Sequence, residues 1–399
     1  MNTDKSLRIV HCVRSPVGGI FRHLGDLAVA QSAAGHQVGI ICDSLTGGAF
    51  EDAHIERLRP HLALGVTRFP MRRAISPADL VALYKVYRQI AAMKPDVLHA
   101  HGSKGGAYAR VIGSLMRLTG HKVARFYCPH GGVLHYDPAS REGKVYFMLE
   151  RLLERMSDGL IFVSDYERRN YTAKIGVPHV PTTLTYNGVG EDEWAPVVPN
   201  ADARDFVFAG MMRDLKGPDV FIEALAMLRD LGLEVSANMF GDGPDRGRYE
   251  ARVDALGLGD RVAFFDPAPI RQVMATARTM VVPSRAESMP YIVIETIAAD
   301  MPLIATNVGG IPEIFGEASD RLVEAGNAEA LAGAMAEALA HPAAAIAAAG
   351  ELRCRARRIF HLDAMAATVE TAYRAALDPA PAGDRHAPPA AGLSGAPAE

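Results

Sequence analysis

Two carboxylates, Glu287 and Glu295, lie on either side of seven intervening residues in the run Val-Val-Pro-Ser-Arg-Ala-Glu-Ser-Met-Pro-Tyr-Ile-Val-Ile-Glu, which occupies positions 281–295. Residues 279–282 read as the end of a buried strand, 283–289 as a loop, and Pro290 as the first-turn proline of a helix that carries Glu295. Glu287 then leads that helix and Glu295 rides on it. Backbone amides at a helix start favour an anion. The pattern therefore suits a ligand with a diphosphate at its centre and hydroxyl-bearing groups on both sides, each within reach of one carboxylate.

Other residues have types and settings that fit the same ligand. The stretch 210–217, Gly-Met-Met-Arg-Asp-Leu-Lys-Gly, also follows a strand and precedes a helix. Arg213 there can grip a phosphate with two parallel donors and Lys216 adds a mobile point charge. Gly18-Gly19 falls between the first strand and first helix, where missing side chains let backbone N–H groups come close to a phosphate or an acceptor. His130 follows the strand ending Phe126-Tyr127-Cys128, and its imidazole could hydrogen-bond a hydroxyl or shuttle a proton near neutrality. His99 and His101 alternate along a strand and so share one face, in a core or capping role as readily as a functional one. A metal is not expected: the histidine pair lacks a third ligand, and no Asp-x-Asp cluster is present to hold Mg²⁺ on a diphosphate. The run 241–247 joins strand to helix but has Arg246 where a dinucleotide fingerprint needs its third glycine, so it allows a base or ribose contact, Gly243 included, and no NAD pyrophosphate grip.

The elements that must position these residues repeat a βα theme. Residues 7–13 form a β-rich apolar run, then come the glycine turn and a helical pattern through Leu24, Leu27, Ala28 and Gln31. Residues 37–42 supply a second strand. Short buried-type strands recur at 96–100, 123–127 and 160–163. Turn residues at Tyr186-Asn187-Gly188-Val189 and 196–200 break the periodicity as a hinge would. A second series follows, with strands at 206–209, 234–240, 262–265, 279–282 and 302–306 and a helix at 218–231. Residues 353–377 are helical by pattern and could cross back to the first domain. The expected architecture is α/β: two Rossmann-like, doubly wound domains facing across a cleft. Their expected bounds are 1–190 and 191–360, with a returning helix at 361–378 and a Pro/Ala/Gly-rich disordered tail at 379–399. Ligands of open α/β sheets bind beyond the carboxyl ends of the strands, so the candidate residues should line that cleft.

Bulk properties narrow the function. The chain has 399 residues, 49% hydrophobic and 22% charged, enough for two substantial cores. A net charge of −4 argues against general nucleic-acid binding. No apolar run approaches the length of a membrane span, and residues 1–8 are too polar to begin a signal peptide, so a cytoplasmic protein is expected. Cys12, Cys42, Cys128 and Cys354 contain no Cys-x-x-Cys pair and read as reduced thiols.

Taken together, these residues resemble the retaining glycosyltransferases of family 4, which have the GT-B fold. The resemblance covers most of the chain: Gly18-Gly19 with Gly35-His36, residues 96–102, His130-Gly131, Asn187-Gly188-Val189, 213–217, 241–244, 283–295 and Val308-Gly309-Gly310-Ile311-Pro312-Glu313. It implies that Glu287 lies by the donor sugar, Glu295 binds the nucleotide ribose, Arg213 and Lys216 hold the diphosphate, and His130 lies close to the transferred sugar. The expected catalytic set is His130, Glu287, Arg213 and Lys216. The expected nucleotide-sugar contacts are Gly18, Gly19, Gly243, Ser288, Met289, Pro290 and Glu295. The chain departs from the family pattern at Met211, where members commonly carry the phosphate arginine, so that Arg213 sits two positions late. It departs again at Thr296 and Asp300, where Ala and Gly are usual. Ser288-Met289-Pro290 resembles a bacterial subgroup that builds exopolysaccharide and capsular chains.

The implied reaction moves a hexose from a UDP- or GDP-sugar to a saccharide or lipid-linked acceptor with retention, without a metal or other cofactor. Departing phosphate helps take the acceptor proton; a double displacement through a carboxylate remains open in principle. A sugar-nucleotide epimerase on the same fold and a non-catalytic scaffold that binds nucleotide sugar are the competing readings. A lipid-linked acceptor would bring the first domain to the inner face of the cell membrane. Residues 141–155, with Tyr146, Phe147, Leu149, Leu152 and Leu153 among charges, either provide an amphipathic contact or pack on the sheet.

Overall fold

A computed structural model describes residues 5–71 and 78–378; the expected tail at 379–399 lies outside them. Runs of β-branched and other apolar residues form short strands, the central ones buried on both faces as parallel strands covered by helices must be. The first seven are β1 (Arg8–Val13), β2 (Gln37–Asp43), β3 (Gly65–Phe69), β4 (Val97–His101), β5 (Ala124–Cys128), β6 (Gly159–Phe162) and β7 (Thr182–Leu184). They make one parallel sheet in the order β3-β2-β1-β4-β5-β6-β7. The rest, β8 (Arg204–Ala209), β9 (Ala237–Phe240), β10 (Val262–Phe265), β11 (Ala277–Val282) and β12 (Leu303–Ala305), make a second in the order β10-β9-β8-β11-β12. The sequence pattern did not mark β3 or β7. Both are edge strands whose residues are half-buried or exposed, so they carry no continuous apolar run.

Both sheets reverse strand order at the same place, between β1 and β4 in the first and between β8 and β11 in the second. A doubly wound sheet opens a crevice at such a switch point, beyond the carboxyl ends of its strands. The loops after β1, β8 and β11 contribute residues to one cleft between the two sheets.

The single helix expected over 353–377 is two. One spans Pro342–Ala356 and the other Leu362–Leu377. Between them Phe360 and Leu362 pair with the hinge residue Val189: Val189 N–H donates to the Phe360 carbonyl at 3.1 Å and Leu362 N–H to the Val189 carbonyl at 3.1 Å. Gly188 permits this approach, since a Cβ there would stand 2.3 Å from the His361 carbonyl carbon. A pattern of apolar residues does not register five residues taken out of the helix to pair with a distant segment. The last helix lies on the first helix, Gly18–Ala33, and on β5 to β7 of the first sheet.

Candidate functional site

The cleft encloses about 1130 Å³, ample for a ligand larger than an ordinary drug-sized molecule. Gly18, Gly19, His130, Arg213, Lys216, Glu287, Ser288, Met289, Pro290 and Glu295 all line it. Gly243 does not. It packs under the neighbouring loop, where a Cβ would fall 2.5 Å from the Met212 carbonyl oxygen.

Two helix starts meet here from opposite domains. The Gly18–Ala33 helix begins at Gly18, and the Tyr291–Ala298 helix begins one residue after Pro290, which is extended (φ −76°, ψ 122°) and so precedes the first turn instead of sitting in it. A Cβ placed on Gly19 would lie 3.8 Å from Cδ2 of Tyr291. The first amides of a helix lack the acceptors of later turns; Gly18, Gly19, Tyr291 and Ile292 all line the cleft, while the Val293 N–H donates to the Pro290 carbonyl at 3.3 Å.

Beside them stands a cation–carboxylate pair. Lys216 Nζ donates to Glu287 Oε1 at 2.6 Å, and Ser284 Oγ donates to the same oxygen at 2.7 Å. The 210–217 loop reaches this far because it ends on Gly217 at φ +70°, pressed so closely on β11's exit that a Cβ would meet the Pro283 carbonyl oxygen at 2.1 Å. Arg213 is exposed on the same loop and makes no ion pair among the described residues.

Glu295 is engaged in a way its spacing did not foretell. Its Oε1 accepts from Arg22 Nη1 at 2.9 Å, while Arg22 also donates to Glu193 at 2.6 Å and to Asp26 at 2.6 Å. Burial pushes the Glu295 carboxyl up to about 7, opposed by Arg22 and assisted by Glu193 and Asp26. Burial likewise moves Asp26 up to about 6 against the pull of Arg22. The i, i+4 spacing of Arg22 and Asp26 was visible in the sequence; the partners at 193 and 295 were not.

His130 sits on the opposite wall with a left-handed backbone, φ +51°, a conformation that costs a non-glycine residue about 1 kcal/mol. Its Nε2 lies 3.0 Å from His101 Nδ1. His23 Nδ1 lies 2.9 Å from Asn187 Oδ1, and Asn187 Nδ2 donates to the Met289 carbonyl at 2.7 Å, tying the hinge to the carboxylate loop. Two cross-domain contacts flank these: Asp165 and Tyr166 N–H donate to the Glu313 carboxylate at 2.8 and 2.6 Å. Donor atoms of His23, His101, Cys128 and His130 fall within 4.8 Å of one another. The fold thus assembles the further ligands that the bare His99/His101 pair lacked, although the facing nitrogens of His101 and His130 already share a hydrogen bond.

Comparison with known proteins bears on the family and the fold. Residues 18–188 match the glycosyl transferase 4-like domain and residues 191–354 match glycosyl transferases group 1. The Bacillus subtilis protein named as glycosyltransferase EpsD is 26% identical over 282 residues, 66% of this chain and 72% of that one. The D-inositol 3-phosphate glycosyltransferase of Streptomyces avermitilis is 24% identical over 404 residues, covering 90% and 83%. Among solved structures, sucrose-phosphate synthase from Thermosynechococcus elongatus superposes with a TM-score of 0.72 at 23% identity, over 92% of this chain and 98% of that one. Two parallel α/β domains around such a cleft have the GT-B fold. The chain belongs to the family 4 type of these transferases, whose two domain signatures it carries in order.

Proposed function

We propose that the cleft transfers a hexose from a UDP- or GDP-sugar to a saccharide or lipid-linked acceptor hydroxyl, with retention and without a metal, in building a cell-envelope or extracellular polysaccharide. The observation that carries this reading is the meeting of two helix starts across the cleft, with Gly19 close against Tyr291 and Lys216 on the neighbouring loop. Those donors would hold the two phosphates and absorb the charge that develops as the glycosidic bond breaks. Arg213, free of ion pairs among the described residues, is a further cation for the same task.

Glu287 is assigned to the donor sugar as a hydroxyl acceptor. Lys216 and Ser284 both donate to one of its oxygens, which lowers its power as a nucleophile and favours a front-face substitution in which the leaving phosphate takes the acceptor proton. Glu295 would receive ribose hydroxyls once Arg22 releases it. A panel of UDP-, GDP- and ADP-sugars, scored for binding and slow hydrolysis, tests the reading. One class should be hydrolysed, and Lys216→Met should slow that turnover roughly 100-fold. Hydrolysis of none, or a covalent glycosyl adduct trapped on Glu287, would refute it.

The helix Arg141–Glu154 supports a peripheral place on the inner face of the cell membrane. Phe147 is buried against the domain, but Val145, Met148 and Leu152 are exposed, with Arg141, Lys144, Arg151 and Arg155 nearby in sequence. No single helix among the described residues is long and apolar enough to cross a membrane. Basic side chains around exposed apolar ones suit an anionic lipid surface. Sedimentation with anionic vesicles should carry the protein down, and Met148→Asp should reduce that fraction; no sedimentation with wild type would end this part of the reading.

A further inference from the structure

A file of imidazoles runs from the cleft into the first sheet. His130 Nε2 is 3.0 Å from His101 Nδ1, His101 Nε2 is 3.0 Å from His11 Nδ1, and His11 Nε2 is 2.8 Å from Gln31 Oε1. β1 and β4 bring His11 and His101 to the same side of the sheet, and the first helix supplies Gln31. Burial moves the His11 imidazole down to about 4, and holds His101 and His130 well below the ordinary imidazole value. Each ring is therefore neutral near pH 7 and has one N–H and one bare nitrogen.

In such a file the direction of one hydrogen bond fixes all the others. The Gln31 oxygen can only accept, so His11 carries its hydrogen on Nε2 and leaves Nδ1 bare. His101 must then donate from Nε2 and accept at Nδ1. His130 in turn donates from Nε2, and its Nδ1, the ring nitrogen outside the file, is left as an acceptor.

We propose that Gln31, His11 and His101 are positioning residues that set the hydrogen-bonding sense of His130, so that it offers the cleft an acceptor suited to a sugar hydroxyl that donates. The sugar part of this rests on the glycosyl-transfer reading of the cleft. Gln31 is the point of choice. Its amide also acts on the Tyr373 hydroxyl, and turning that amide over would set an N–H against His11, reverse every bond in the file and make His130 a donor. His99 packs against the file without joining it, its Nδ1 2.6 Å from the Tyr373 hydroxyl of the last helix.

The test is nitrogen-15 NMR of histidine-labelled full-length protein, which distinguishes the two tautomers, recorded without any sugar nucleotide. Wild-type His130 should be protonated at Nε2. Gln31→Met, which keeps the side-chain volume and removes the acceptor, should produce both tautomers of His130 and raise the KM for the donor about two- to tenfold, the worth of one hydrogen bond. In a His101→Phe background, Gln31→Met should leave His130 unmoved, because the connection is cut; should His101→Phe not fold, Gln31→Met decides alone. Protonation of wild-type His130 at Nδ1, or an unchanged His130 in Gln31→Met, overturns the proposal. So does uptake of one equivalent of zinc from zinc sulfate, which would claim the ring lone pairs. A tautomer that responds in a protein hydrolysing no sugar nucleotide would sink the proposed function and spare the file; hydrolysis with an unresponsive tautomer would do the reverse.

Discussion

The first helix has two neighbouring faces that hold buried polarity in opposite ways. His23, Leu27 and Gln31 follow one face at four-residue steps and turn toward the sheet, where the polar members meet neutral partners: Asn187 for His23 and His11 for Gln31. Arg22 and Asp26, one position earlier, turn to the seam between domains and meet charges, Glu193 and Glu295. Three carboxylates share a single guanidinium there. On the first face burial has removed charge from His11 and His23; on the second it has raised the affinity of Asp26 and Glu295 for protons. A neutral hydrogen-bonded file holds one fixed arrangement within a domain. A charged knot across a seam can exchange partners when a ligand arrives.

Acid should separate the two faces most sharply. The histidines have folded-state values below their unfolded ones, so the unfolded chain binds more protons between about 4 and 6.5, and the stability they contribute is full above about 6.5 and lost as the pH falls toward 4. With His11, His23, His99, His101 and His130 all shifted the same way, this loss should amount to several kcal/mol. Glu295 runs opposite: its value is raised from 4.5 to about 7, the folded chain binds more protons in that window, and stability declines as the pH rises through it. Urea unfolding across pH 4–8 should show the histidine loss dominating, and Glu295→Gln should steepen the net rise with pH. A flat profile in both proteins would erase the distinction.

Arg22→Met should come next in size, destabilising by about 3 kcal/mol because it strands carboxylates in a buried seam. Raising the pH should enlarge the effect, since Asp26 and Glu295 then ionise without a partner. A loss below about 0.5 kcal/mol would mean that solvent already screens the knot as it does a surface pair. His23→Phe should be the mildest of the three, roughly 1–2 kcal/mol from an unpaired Asn187 oxygen, with no dependence on Arg22 beyond experimental error in a double-mutant cycle. Strong coupling between the two would show that the faces act as one.

The sequence displayed one half of this comparison better than the other. Period-two and period-3.6 patterns locate β1, β8 and β11 and the helices after them because those segments bury continuous apolar surface. The loops at 210–217 and 283–290 were legible because glycine, proline and charge cluster at strand ends. Arg22 and Glu295 are 273 positions apart, and nothing local in either segment names the other. The imidazole file is hidden for the same reason. Its members come from β1, β4 and the loop after β5, and only the register of β1 beside β4, with His11 opposite His99, places them together. Gly243 is the converse case: a glycine turn at a strand end looks like a ligand loop, and here the missing side chain makes room for the Met212 backbone.

The chain passes between the two sheets twice at one place, at Val189 and at Phe360–Leu362, and two backbone hydrogen bonds bind the passages side by side. They resemble the spine of a book whose covers are the two sheets, and Leu362, on that spine, also lines the cleft.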